Sequence, residues 1–104
     1  MAESYLSLTM EPPAAKAIAK KLKRTRMSRF PAKDIFRASK LPLLGVDNSH
    51  VKKDQAKILR QEKLSPILLL RDERHAMLVI ADGYHRLCAV YKFDEDAVIP
   101  CKIV

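Results

Sequence analysis

Five consecutive residues, Asp82-Gly83-Tyr84-His85-Arg86, gather a carboxylate, a glycine, a phenol, an imidazole and a guanidinium. The apolar run Met77 to Ala81 precedes them, and Leu87, Val90 and Tyr91 follow at helical spacing. The segment therefore reads as a strand, a tight turn and a helix beginning near Tyr84. A helix N-terminus offers unsatisfied backbone N–H groups and the positive end of the helix dipole, which together suit an anion. Arg86, expected on the exposed side, adds a planar fork matched to phosphate oxygens, and His85 adds a second donor. Asp82 is the one catalytic candidate; it could cap the helix, hold a metal ion or hold a substrate hydroxyl. The same spacing also suits an inert junction of cap, turn and surface charge, so phosphate binding by Gly83, His85 and Arg86 is one of two readings.

The elements that must position this segment follow from the apolar pattern. Residues 1–11 show no period and are expected to form a loose end. Pro12-Pro13 opens a helix-forming stretch to Arg26, with only Ile18 and Leu22 as large apolar residues on one face, a stripe so thin that the helix is expected to form fully only against a partner. Phe30-Pro31 and Ile35-Phe36 suggest a short first strand. Asp47-Asn48-Ser49 is a cluster of N-cap residues before a helix over 51–63, with Val51, Ile58 and Leu59 on one face. Pro66 ends it. The unbroken run Ile67-Leu68-Leu69-Leu70 predicts a central strand covered on both faces, paired through the polar turn Asp72–His75 with the strand 77–81. A helix over 84–93, an acidic turn Asp94-Glu95-Asp96 and a strand over 97–104 complete an α/β chain with a small mixed sheet and flanking helices.

The bulk composition narrows the setting. A chain of 104 residues with 48% apolar residues is one domain with a modest core. No apolar run approaches the roughly 20 residues needed to cross a bilayer, and the start lacks the pattern of a secretory signal, so no membrane association and a cytoplasmic location are expected. Cys88 and Cys101 are too few for a disulfide scaffold and, with His50 and His75, have no zinc-site spacing; both are expected to be reduced and packed in the core, and no metal site is expected. The net charge of +8 is uneven: residues 1–40 contribute ten Lys/Arg against three acidic groups, and the remainder ten against nine. Lys16, Lys20, Lys21, Lys23, Arg24, Arg26 and Arg29 form a run with no acidic residue among them. Residues 1–29 thus read as a basic, partly helical arm that meets DNA or RNA through phosphates, ahead of a domain over 30–104.

Two segments carry a family resemblance. Ala81-Asp82-Gly83-Tyr84-His85-Arg86-Leu87-Cys88-Ala89-Val90-Tyr91, followed by Ile99-Pro100-Cys101-Lys102-Ile103-Val104, resembles the C-terminal signature of sulfiredoxin, where Gly-Gly-Cys-His-Arg opens a helix and an Ile-Pro-Ala-Lys strand follows. It is similar to the Gly-Glu-Arg-Arg-x-x-Ala box of ParB N-terminal domains through Gly83, Arg86 and Ala89. The Asp-Gly-His-His-Arg motif of ParB-like free-serine kinases is matched by Asp82, Gly83, His85 and Arg86. The resemblance covers the chain from about Phe30 and implies a ParB/sulfiredoxin-like fold. It also implies a bound nucleoside di- or triphosphate, ATP or CTP first among them, with magnesium as its companion. In related domains residues just before the first helix also meet the nucleotide, which makes Ser49 and His50 further candidates, though a cap and a loop residue need no function. Lys52 and Lys53 in the first turn could reach the same phosphates or simply be solvated, and Tyr84 could stack on the base or cover the core edge.

The departures limit what is carried over. Sulfiredoxin's nucleophilic cysteine falls at Tyr84, so its thiol chemistry is not expected, and Cys88 lies a helical turn deeper. The kinases' loop glutamate has only Asp47 to stand for it within Leu43–His50. Three functions follow: a regulatory nucleotide-binding module with a basic arm for nucleic acid, a small enzyme of the same fold (small-molecule kinase, NTPase or ParB-like nuclease), or a degenerate domain kept for protein contact. The retention of Asp82, Gly83, His85 and Arg86 together speaks against the third, and the missing cysteine and loop glutamate speak against two versions of the second, so the first leads.

Overall fold

The computed structural model describes residues 2–44, 48–59 and 63–104. Among them the order is α1 (Ala2–Leu6), α2 (Pro12–Arg24), β1 (Ser28–Pro31), α3 (Ala32–Ser39), α4 (Ser49–Leu59), β2 (Ile67–Asp72), β3 (Met77–Asp82), α5 (Tyr84–Phe93) and β4 (Val98–Ile103), with a 3-10 turn at Glu73–His75. The four strands form one mixed sheet in the order β1-β4-β2-β3. β4 runs antiparallel to β1 and parallel to β2, and β2 and β3 make the antiparallel hairpin that the sequence predicts. Asp72 closes that hairpin by accepting from the backbone N–H of His75 at 3.1 Å, and its contact with the His75 ring holds its carboxyl below the usual range. No helix among the described residues is long and apolar enough to cross a membrane.

The sheet has apolar layers on both faces, and β2 shows why its four apolar residues run without alternation. Ile67 and Leu69 enter one cluster with Ala32 and Ile35 of α3, Leu87 of α5, and Ile99 and Cys101 of β4. Leu68 and Leu70 pack on the other side against Leu6 of α1 and Ala15 and Leu22 of α2. A third cluster joins Val51 of α4 to Cys88 and Ala89 of α5. The two cysteines are free, fully buried and, through that burial, hold their protons above the ordinary thiol range, as their places on apolar faces predict.

Three expectations give way. The first eleven residues are not a loose end: α1 forms because Ala2 and Leu6 supply a short apolar edge that closes over the sheet, and Leu6 is fully buried. α2 finds its folding surface within the chain itself, with Lys102 of β4 donating to the carbonyl oxygen of Lys23 in its last turn at 3.1 Å. Ile35-Phe36 belongs to helix α3 rather than to a first strand. Pro31, at φ −60° and ψ 140°, ends β1 and starts the helix. The N–H groups of Ala32 and Lys33 then reach the carbonyl oxygens of Ala97 and Glu95 at 2.8 and 2.9 Å, and Lys33 pairs with Asp96 at 2.5 Å. Ala32, Ile35 and Ser39 are thereby buried on one face, with the Phe36 ring stacked on Tyr91 at 4.8 Å.

Candidate functional site

β3 ends at Asp82 beside Leu68, and Gly83 turns the chain into α5. Gly83 has φ +106°, a conformation that L side chains rarely adopt, and a Cβ there would lie 2.8 Å from Nη2 of Arg86 and 3.1 Å from Cγ1 of Ile67. The dihedral is what calls for glycine, and a Cβ would in addition press on the ends of the Arg86 and Ile67 side chains. The cap position of α5 thus has no side chain, and the first backbone hydrogen bond of the helix runs from Leu87 to the carbonyl of Gly83 at 2.9 Å. The turn ahead of that bond is the expected anion-binding end.

A cleft of about 520 Å³ opens at this end, between the first turn of α5 and the flank of α4. Asp82, Gly83, Tyr84, His85 and Arg86 all line it. Opposite them, α4 contributes Lys53 and Lys57, four apart and so on one side of the helix, with Asp54 between them. Val51, on another side of α4, holds the helix against Cys88 and Ala89 of α5 and so fixes the width of the cleft. Tyr5 of α1, 45% exposed, forms part of the rim.

Arg86 is not on the exposed side as expected. Its side chain is 20% exposed and folds back over Gly83, with Nη2 donating to the carbonyl oxygen of Pro66 and to Oδ2 of Asp82, each at 3.2 Å, while Nε is buried with no hydrogen-bond partner among the described residues. The contact seen at Asp82 is this ion pair, and the cap of α5 is Gly83 with no side-chain bond, so Asp82 does not cap the helix. Tyr84 lines the cleft, but its hydroxyl donates to the carbonyl oxygen of Pro42 and its ring packs against two apolar clusters. Burial, and then the neighbouring Cys88, push the Tyr84 phenol up. Of its two expected roles, covering the core edge is the one seen. The Tyr84 and His85 rings lie 5.9 Å apart in a tilted arrangement.

The other candidates divide. Ser49 and His50 belong to the first turn of α4, the element that faces the cleft; their side chains, and Asp47, lie outside the described residues. Lys52 is exposed and does not line the cleft, whereas its neighbour Lys53 does. Lys57 and Tyr5 were not singled out by sequence. Lys57 had a signal, its four-residue spacing from Lys53, but Tyr5 reaches the rim only because α1 docks on the sheet.

The basic run is partly collected. Lys16, Lys20, Lys21, Lys23 and Arg24 are all exposed on α2 and, at about 100° per residue, occupy the arc away from buried Ala15 and Leu22. Arg26 is exposed just beyond the helix, and Arg29 lies on β1, where it lines a separate hollow. Among the described residues no group of three or more His, Cys, Asp or Glu is placed to hold a metal ion. Compared with known proteins, the chain matches no family model, no curated protein and no solved structure.

Proposed function

We propose that the chain is a nucleotide-binding regulatory protein of ParB/sulfiredoxin-like type, which takes a nucleoside di- or triphosphate in the cleft between α4 and α5. The observation that carries the reading is the convergence of Lys53 and Lys57 on the glycine-capped start of α5. Two ammonium groups facing a helix N-terminus favour a multiply charged anion, and phosphate oxygens fit both. The β-phosphate would lie against the backbone N–H groups after Gly83, with His85 and the two lysines around it. Arg86 then acts through position: it braces the turn from behind rather than offering its fork to the ligand. Tyr5 takes over from Tyr84 as the aromatic surface for the base, since its ring is at the rim and half-exposed. A magnesium ion, which binds through one or two carboxylates and substrate phosphates, would find Asp54 in the cleft, Asp82 being engaged by Arg86.

The resemblance supplies the family name, and the order of elements around the motif supports it: hairpin, Gly83 turn, α5, then the Ile-Pro strand returning parallel to β2. The exposed cationic arc of α2 supports a nucleic-acid contact through phosphates, on a helix that is part of the folded body. A thermal-shift screen of ATP, ADP, CTP and GTP, with and without magnesium, tests the central reading. A ligand present at 100 times its Kd and binding only the folded state adds about 2.7 kcal/mol to apparent stability. A rise with a nucleoside di- or triphosphate but not with the free nucleoside is expected, and no rise with any of the four at millimolar concentration would remove the reading.

A further inference from the structure

A second hollow, of about 530 Å³, shares Arg86 with the phosphate cleft but is otherwise built from different residues. Its walls are apolar, with Ile58, Ile67, Val90 and Ile99 among them, and Met27 and Val98 at 49% and 55% exposure. Three cationic side chains reach it from separate parts of the chain: Arg29 from β1, Lys63 from the lead into β2, and Arg86 from α5. No acidic residue lines it among the described residues. Arg86 has Asp82 as a partner, whereas Arg29 and Lys63 take part in no ion pair among the described residues.

Arg29 and Lys63 are both exposed, so each keeps its hydration, but like charges set at the rim of one apolar concavity repel one another, and an anion between them relieves that repulsion. The volume falls within the range of about 300–1,000 Å³ found for small-molecule sites, and an apolar lining with a few convergent polar groups is their usual make-up. We propose that this hollow binds a small organic carboxylate with an apolar body. The carboxylate sits between Arg29 and Lys63, where it accepts two parallel hydrogen bonds from the guanidinium, and the apolar body lies over Ile67, Val90 and Ile99.

Octanoate is the probe, titrated into the full chain at physiological salt and followed by backbone amide NMR, with acetate and octylamine as controls. Octanoate is expected to shift the amides of Arg29, Ile67, Val90 and Ile99. Acetate, without the tail, and octylamine, without the negative head, are expected to bind at least about tenfold more weakly. The double variant Arg29→Gln/Lys63→Gln, which leaves Arg86 in place, should lower octanoate affinity by about tenfold or more with an unchanged melting temperature. Absence of octanoate binding, equal binding of octylamine, shifts confined to another surface, or undiminished affinity in the double variant would each overturn the proposal.

Discussion

Nη2 of Arg86 lies 3.2 Å from Oδ2 of Asp82, four residues earlier, and bonds at the same distance to the carbonyl of Pro66. One guanidinium thus ties the first turn of α5 to the end of β3 and to the residue that launches β2. Arg86→Ala would leave the Asp82 carboxylate and the Pro66 carbonyl, both in a part-buried setting, without this donor. We expect a loss of about 1–3 kcal/mol of stability in urea unfolding, because part-buried acceptors deprived of a charged donor are costly. Arg86→Lys should recover only part of it, since an ammonium does not reproduce the fork. Wild-type stability in Arg86→Ala would show that the arginine is not a brace.

In the proposed function Tyr5 meets the base and the cleft lysines meet the phosphates, so the two ends of a nucleotide can be tested separately. Tyr5→Ala should weaken ADP or ATP binding by about 1–3 kcal/mol, the usual value of base stacking on an aromatic ring, and leave inorganic triphosphate binding unchanged. Calorimetry with both ligands checks this. Equal losses for the two would mean that Tyr5 acts on the phosphate end or on the fold.

The cationic arc of α2 predicts salt-dependent, sequence-tolerant binding to duplex DNA. If about five of its charges each meet a phosphate, the log–log salt slope is about −4 to −5. Lys16→Gln, Lys20→Gln, Lys23→Gln and Arg24→Gln together should reduce the slope by about 3–4 without unfolding the chain, because all four side chains are exposed. Removing the helix would not be an equivalent experiment. Leu6, Ala15 and Leu22 are fully buried beneath it, and Leu22→Ala alone should cost about 2–5 kcal/mol. A slope unchanged by the four substitutions would move the nucleic-acid contact to another face.

Cys88 and Cys101 should label slowly with a thiol reagent in the native state and quickly after denaturation, since burial both blocks access and holds the thiols protonated. The sign of the linked pH effect follows. Both thiols keep their protons longer in the folded chain than the ordinary value of 9.0 allows. Their contribution is therefore fully present below pH 9.0 and is lost as pH rises toward their folded values. Denaturant midpoints measured from pH 8 to 11 check this: Cys88→Ala/Cys101→Ala should show a shallower alkaline decline than wild type. Fast native labelling of Cys88 would contradict it.

The second half of the fold was legible because its signals are strong and local. Ile67–Leu70 has too many consecutive apolar residues to face water on either side, and Pro66 and Gly83 mark the ends of the segment between them. The first half was not. α1 has only Ala2 and Leu6 to bury, too few for a period, and α3 places Ile35 and Phe36 side by side as a strand would. Those elements are decided by the surface they cover. The site divides in the same way: Gly83 and the start of α5 follow from the chain's own spacing. The inward fold of Arg86 and the arrival of Tyr5 and Lys57 at one cleft depend on how α1, α4 and α5 pack.

The central claim is that Lys53, Lys57 and the start of α5 hold nucleotide phosphates, and calorimetric titration of ADP and ATP into wild type and Lys53→Ala/Lys57→Ala tests it most directly. Neither lysine is buried, so the double variant should keep its melting temperature. The account predicts binding to wild type and a loss of about 1.5–3 kcal/mol in the variant, roughly ten- to a hundredfold in Kd. Equal affinity in the two proteins, or no binding to wild type at millimolar nucleotide, would contradict it.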